Sequence, residues 1–227
     1  VEAPEGIRTI TLMPWLDGPL FTNALAVDDA RVIGRSLAEL HLAGADFTSD
    51  AARSISASEM VEERMPHLLG MLKSDPDHHD FYVTATKAVQ SAYADMEKAG
   101  LPRGPVHGDY QFANVMRTQS GDLAALDFDS CGIGYLAEDL FTFIWRSDME
   151  IKDESVNEAF ISGYEDLRPL SDDERAYLGL FRVARDLVMS STFAILINRV
   201  GPVPGFDGDF EPFTALTRKH LAAAGLA

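Results

Sequence analysis

Val106-His107-Gly108-Asp109-Tyr110-Gln111-Phe112-Ala113-Asn114-Val115-Met116 is followed, after a short interval, by Leu123-Ala124-Ala125-Leu126-Asp127-Phe128-Asp129. Both runs lie within residues 105–140, and each is a short apolar segment that stops at polar groups. Asp109, Asn114 and Asp127 carry oxygen donors of the kind a hard divalent cation prefers. Residues 118–122, with Gly121 among them, read as a hairpin turn between short strands over 115–117 and 124–126. Such a turn brings Asn114 and Asp127 side by side at one end of the hairpin. Read without chemistry, the same pattern is a strand-turn-strand with ordinary surface aspartates.

The spacing argues for chemistry. Asp109 stands five positions before Asn114, the interval between the base and the metal-holding asparagine of a kinase catalytic loop, and a metal-binding aspartate is then expected at a later strand end. Asp127 fills that place. The set His107-Gly108-Asp109, Asn114 and Asp127-Phe128-Asp129 resembles the aminoglycoside phosphotransferase, choline kinase and type II homoserine kinase superfamily. These are small-molecule kinases with a protein-kinase-like fold, in which Gly replaces the Arg of the protein-kinase His-Arg-Asp, as Gly108 does here. The resemblance implies ATP and Mg²⁺ as cofactors and a small-molecule hydroxyl as acceptor. It implies Asp109 as catalytic base, with His107 in the same catalytic set orienting the loop by hydrogen bonds. Asn114 and Asp127 would hold Mg²⁺, Leu126 would join them beside the nucleotide, and Asp139 would brace the loop. Asp129 could take a second Mg²⁺, touch the acceptor, or be structural.

Composition is compatible with that reading. The 227 residues suffice for one large domain or two small ones, and 46% apolar content allows a sizeable core. Lys and Arg total 19 against 36 Asp and Glu, a net charge of -17. Nucleic acid and anionic membrane are disfavoured as partners, because both select a basic face. The acidic balance is compatible with a cationic substrate, although acids spread along the whole chain read first as a solvated surface. The single cysteine, Cys131, excludes an internal disulfide and multi-cysteine zinc patterns, and a cytoplasmic location is the default. No signal segment opens the sequence, and the longest apolar stretch, near residues 193–197, is too short to span a bilayer. Oligomeric state is not legible.

The rest of the sequence reads mainly as helix. Residues 1–6 are turn-like and 7–14 alternate like a strand. In the resembled family such a strand, followed by a pair like Met13-Pro14 and an acidic-Gly turn, is the hinge whose backbone binds adenine. Residues 12–15 are the candidate hinge, with Met13 and Trp15 at the nucleotide; an edge strand is the plain alternative. Helices are expected over 27–45, over 60–72 with a break at Pro66, and over 81–99. The loop at 74–80 carries His78 and His79, read as exposed rather than as a metal site. Helices follow over 136–146 and 154–167. A capping box at Ser171 and Glu174 opens a long helix to about 198, and a terminal helix covers 213–224. His41, ending the first helix, reads as packed. Choline-type kinases hold quaternary ammonium on aromatic residues by cation–π contact, so the resemblance makes Tyr135 and Trp145 candidates for that role, although an aromatic stripe is usually core.

Gly132-Ile133-Gly134-Tyr135-Leu136-Ala137 also matches Gly-x-Gly-x-x-Ala between a strand and a helix, the context of a dinucleotide site. Two aspartates facing a pyrophosphate, and the lack of repeated strand-helix-strand units, argue against an NAD-binding oxidoreductase. In the kinase-like reading these glycines form a flexible loop. A non-catalytic binding module of the same fold is the third possibility. The expected class is therefore α+β, predominantly helical: the C-terminal lobe of a protein-kinase-like fold with a small catalytic hairpin. Residues 1–18 would be a hinge segment, and 19–227 the helical catalytic lobe. No lysine precedes Lys73 and no Gly-rich phosphate-covering hairpin is present, so the N-terminal lobe would precede Val1 in a longer protein.

Overall fold

The computed structural model describes residues 2–3, 6–7, 15–50, 52–201, 203, 206 and 208–227. Strand β1 (Glu2–Ala3) pairs antiparallel with β2 (Gly6–Ile7), Glu2 opposite Ile7. The remainder of the strand expected over 7–14, with Met13, lies outside the described residues.

Helix α1 (Val27–Ala43) opens with Asp28 and Asp29 in its first turn, where carboxylates favour the positive end of the helix dipole. It buries Ala30, Ile33, Leu37 and His41 on one face. That face meets α5 (Glu154–Glu165). The two backbones touch at glycines: a Cβ on Gly34 would stand 1.9 Å from the Phe160 carbonyl oxygen, and one on Gly163 would stand 1.9 Å from that of Arg31.

Helix α2 (Ala57–Met71) is N-capped by Ser56, whose Oγ accepts from the Ser58 N–H. It runs through Pro66 without the expected break. Burial of Val61, Met65 and Leu68 against α7 (Leu178–Val200) outweighs the one backbone bond that proline removes. Helix α3 (Pro76–Met96) also starts earlier than its apolar spacing suggests. Asp75 caps it, accepting from the His78 N–H, and Pro76 occupies the first turn, where a missing N–H costs nothing. The expected loop histidines are therefore helical. His78 sits between Asp75 and Glu211, at 2.7 and 2.8 Å.

Two small sheets lie among the helices. Strand β3 (Arg103–Val106) pairs antiparallel with β6 (Gly132–Tyr135), Val106 opposite Gly132. Residues 53–55 join the other edge of β6 through Ile133 N–H to Arg53 O and Ile55 N–H to Ile133 O, both 2.9 Å. Gly132 and Gly134 are thus neither a flexible loop nor a phosphate-cradling turn. A Cβ on Gly132 would lie 2.7 Å from the Arg53 carbonyl oxygen, so the glycine lets that third segment approach. The second sheet is the hairpin β4 (Val115–Arg117) and β5 (Leu123–Ala125), with residues 19–21 along the outer edge of β4.

Helix α4 (Leu136–Glu150) leaves β6 directly and buries Leu140, Phe141, Phe143 and Ile144. The single helix expected over 171–198 is two. The capping box of Ser171 and Glu174 opens α6 (Asp172–Ala176), which ends at Tyr177 before α7 begins. Buried Glu174 accepts from Arg168 at 2.8 Å as well, which pins this short turn apart from the long helix. α8 (Glu211–Ala223) packs on α7. One apolar core runs through α1 to α5, α7 and α8. Among the described residues no helix is long and apolar enough to cross a membrane.

Candidate active site

The loop leaving β3 is held by one carboxylate. Asp139, buried on the first turn of α4, accepts the backbone N–H of His107 on Oδ2 and that of Gly108 on Oδ1, both at 2.8 Å. His41 Nε2 lies 3.2 Å from Asp139 Oδ2, and its Nδ1 lies 2.8 Å from the Tyr164 hydroxyl. Burial works to raise the Asp139 carboxyl, but His41 and the two backbone donors overcome it and hold the group below the usual carboxylate range. Helices α1, α4 and α5 thus converge on the loop through a polar chain inside the core.

Gly108 adopts a left-handed φ of 76°, and a Cβ there would stand 2.3 Å from the Ser130 carbonyl oxygen. An L side chain at this position is opposed by both conformation and space. The buried His107 ring is fixed as well. Its Nε2 is 2.9 Å from the Leu126 carbonyl, which can only accept, so Nε2 carries the proton and Nδ1 is left to accept the Asp109 N–H at 3.3 Å. The Phe128 ring tilts over it at 4.5 Å.

Asp109 projects from this loop, about one-third exposed. The Asn114 amide nitrogen donates to both the Asp109 carbonyl, at 2.9 Å, and its Oδ2, at 3.0 Å. The other carboxylate oxygen, Oδ1, receives Arg185 Nη2 at 3.2 Å. Asn114 ends a 3₁₀ turn, Phe112–Asn114, that runs straight into β4. Because Val115 pairs with Ala125, Asn114 faces Leu126, whose N–H donates to the Asn114 carbonyl at 2.9 Å. Asp127 is the next residue. Its backbone is left-handed (φ 63°, ψ 66°), a conformation Asp tolerates better than most residues and one that turns the chain out of the strand into the 3₁₀ turn Phe128–Ser130. The hairpin register therefore brings Asp109, Asn114, Leu126 and Asp127 to one place.

Other candidate residues fall elsewhere. Trp15 is exposed, its indole donating to Asp17 at 2.6 Å. Asp129 does not line the cavity at Asp109; it lies on an apolar hollow with Phe47, Phe128 and Ile133, and its carbonyl accepts Arg53. The expectation that Tyr135 and Trp145 could clasp an ammonium is corrected. Tyr135 is buried with the Arg103 guanidinium already 4.8 Å over its ring, and Trp145 is buried and stacked on Phe213. Arg185 went unnoticed in the sequence. Its signal was the charged pair Arg185-Asp186 inside the otherwise apolar run of α7, between Ala184 and Leu187, which are both buried.

A cavity of about 480 Å³ opens beside Asp109, between the N-terminal turns of α2 and one face of α7. It has room for a metabolite. Asn114, with its nitrogen committed to Asp109, leaves its side-chain oxygen available, and the exposed Asp127 carboxylate makes no cap to the turn that follows it. Two such oxygens suit Mg²⁺, which takes few protein ligands and completes its shell with phosphate and water. Among the described residues no three His, Cys, Asp or Glu side chains converge as a self-sufficient metal cage.

Known proteins share this fold. Homoserine kinase of Xanthobacter autotrophicus is 31% identical over 173 residues, covering 73% of this chain and 51% of that protein. An uncharacterized protein of Deinococcus radiodurans is 29% identical over 191 residues, covering 82% of this chain and 55% of its own length. The chain spans about half the length of the curated relatives it matches. Among solved structures, choline kinase LicA from Streptococcus pneumoniae superposes with a TM-score of 0.69 at 16% identity, over 91% of this chain and 67% of that one, and LicA has also been solved in complex with AMP. The microcompartment-associated aminopropanol kinase superposes with a TM-score of 0.65 at 21% identity, over 100% of this chain and 76% of that one. These likenesses fix the fold as the kinase-like, predominantly helical α+β type. Residues 3–179 match the model of the phosphotransferase enzyme family, and the chain belongs to that family.

Proposed function

We propose that this protein transfers the γ-phosphoryl group of ATP, with Mg²⁺, to a hydroxyl of a small molecule. The observation that carries the reading is the grip of Asn114 on Asp109, with Asp127 beside it through the hairpin register. Asp109 orients the acceptor hydroxyl and takes its proton as the oxygen attacks. Asn114 fixes that carboxylate in one rotamer, and the Asp139 and His107 bonds fix the loop beneath it. Mg²⁺ held by Asn114 and Asp127 would offset charge on the phosphates, and transfer of this kind rests on positioning and electrostatics. The residues described here act as the catalytic lobe, with residues 1–18 as the segment that joins it to a nucleotide-covering lobe. The chain spans about half of the relatives' length, which leaves room for such a lobe in the longer proteins.

The Asp127 role has a direct test. Asp127→Ala is expected to leave the fold intact and to weaken ATP binding by at least tenfold in Mg²⁺, but little in EDTA. Titration calorimetry in the two buffers reads the difference. The same affinity as the parent protein in Mg²⁺ would remove Asp127 from the metal site.

A further inference from the structure

The cavity at Asp109 is lined by three guanidiniums, Arg53, Arg64 and Arg185. In a chain with nearly twice as many acids as bases this concentration of positive charge needs a reason. Arg53 has one within the fold: its Nε and Nη2 donate to the carbonyls of Cys131 and Asp129, at 2.8 and 2.6 Å. Arg64 and Arg185 are different. Among the described residues no carboxylate pairs with Arg64, whose Nη1 donates to the neutral Thr192 hydroxyl at 2.8 Å. Arg185 is 13% exposed, and among the described residues its one ion contact is the 3.2 Å bond to Asp109 and its buried Nε has no partner. Burial disfavours its charge, and Asp109 only partly offsets that. A buried cation so thinly paired costs stability unless a further anion completes it. Arg185, Val188, Met189 and Thr192 all line the cavity along one face of α7, so Thr192 anchors Arg64 two turns, about 10.5 Å, along the axis from Arg185. Asp109 lies at the Arg185 end.

We propose that Arg64 and Arg185 form an anion subsite that binds a carboxylate carried by the acceptor, so that the substrate is a hydroxy acid rather than a cationic amino alcohol. The proposal rests on the kinase reading for the placement of the acceptor hydroxyl at Asp109. Guanidiniums suit a carboxylate because their planar fork matches its two oxygens. Glu59 and Glu63 on the same wall leave room for an ammonium on the same molecule, so a zwitterionic hydroxy amino acid fits as well as a simple hydroxy acid.

The test is binding of matched pairs, read by titration calorimetry without turnover. The full-length protein with ATP analogue and Mg²⁺ is titrated with 4-hydroxybutyrate and homoserine, then with their amides, and with ethanolamine. The acids are expected to bind roughly 10- to 100-fold more tightly than the amides, the span of a charge-assisted contact. Arg64→Gln should abolish that preference without changing affinity for the ATP analogue, and Arg64→Lys should restore part of it. Equal affinity for acids and amides, no binding of either, or weakened ATP analogue binding in Arg64→Gln would each overturn the subsite. Phosphoryl transfer to ethanolamine, with no preference for acids, would overturn the subsite and leave the kinase reading standing. Absence of transfer to every acceptor, with the acid preference intact, would do the reverse.

Discussion

Gly108 shows how a single residue carries both architecture and chemistry. Its left-handed backbone turns the chain so that both loop N–H groups reach Asp139 while Asp109 points into the cavity. Gly108→Ala adds a Cβ where the Ser130 carbonyl stands 2.3 Å away. Left-handed strain and the clash together are expected to cost about 2–4 kcal/mol, measurable as a lowered urea midpoint. An unchanged midpoint would mean that the loop is not held as described. At this scale the sequence was informative where chemistry dictates spacing. That Asp109 meets Asn114, with Asp127 next to the strand end opposite Asn114, was legible because a tight loop and a hairpin leave these separations little freedom. Arg185 was not, because its partner Asp109 lies 76 positions earlier and no local pattern links them. The aromatic candidates Tyr135 and Trp145 misled for a related reason: an aromatic stripe has the same spacing whether it faces a ligand or a core.

Among the elements, α2 and α4 are joined to the site by Glu138. Its Oε1 accepts the first N–H of α2, from Ala57, and the Tyr93 hydroxyl at 3.3 Å, while its buried Oε2 has no partner among the described residues. Burial pushes this carboxyl up to about 7, against the backbone donor, with Asp139 adding to the rise and Arg185 opposing it. A carboxyl whose pKa is raised in the fold stabilises fully below its unfolded value and loses that stability as pH rises through about 7. The loss should reach on the order of 3 kcal/mol by pH 8. Glu138→Gln keeps an acceptor for Ala57 and cannot ionise, so its stability should gain on the parent between pH 5 and 8. Urea unfolding at both pH values checks this, and an equal pH slope in both proteins would contradict it. Element existence was legible from apolar periodicity, whereas boundaries were not. Pro66 and the start of α3 were misjudged because caps and tertiary burial, not periodicity, set them. Tyr177 ends α6 where the apolar pattern continues unbroken. Gly132 and Gly134 were read as loop because their strand is defined by partners distant in sequence, β3 and residues 53–55.

At the scale of the molecule, a helical core holds the β3–β6 and β4–β5 sheets so that one hairpin end and one loop meet beside a cavity. The fold class was legible because helix patterns dominate the chain and only short strands stand between them. What the acceptor is was not, since the cavity wall comes from α2 and α7, more than a hundred residues apart. On the proposed reading, this wall and this loop perform phosphoryl transfer with Asp109 as the base. The most direct test follows γ-phosphoryl transfer from ATP to a panel of hydroxylated metabolites, by ADP release, for the parent protein and Asp109→Asn. Transfer to at least one acceptor is expected, with kcat lowered roughly 10²–10⁴-fold in Asp109→Asn and ATP·Mg²⁺ affinity held within a few-fold. Unchanged turnover in Asp109→Asn on the acceptor that the parent protein phosphorylates would contradict the account.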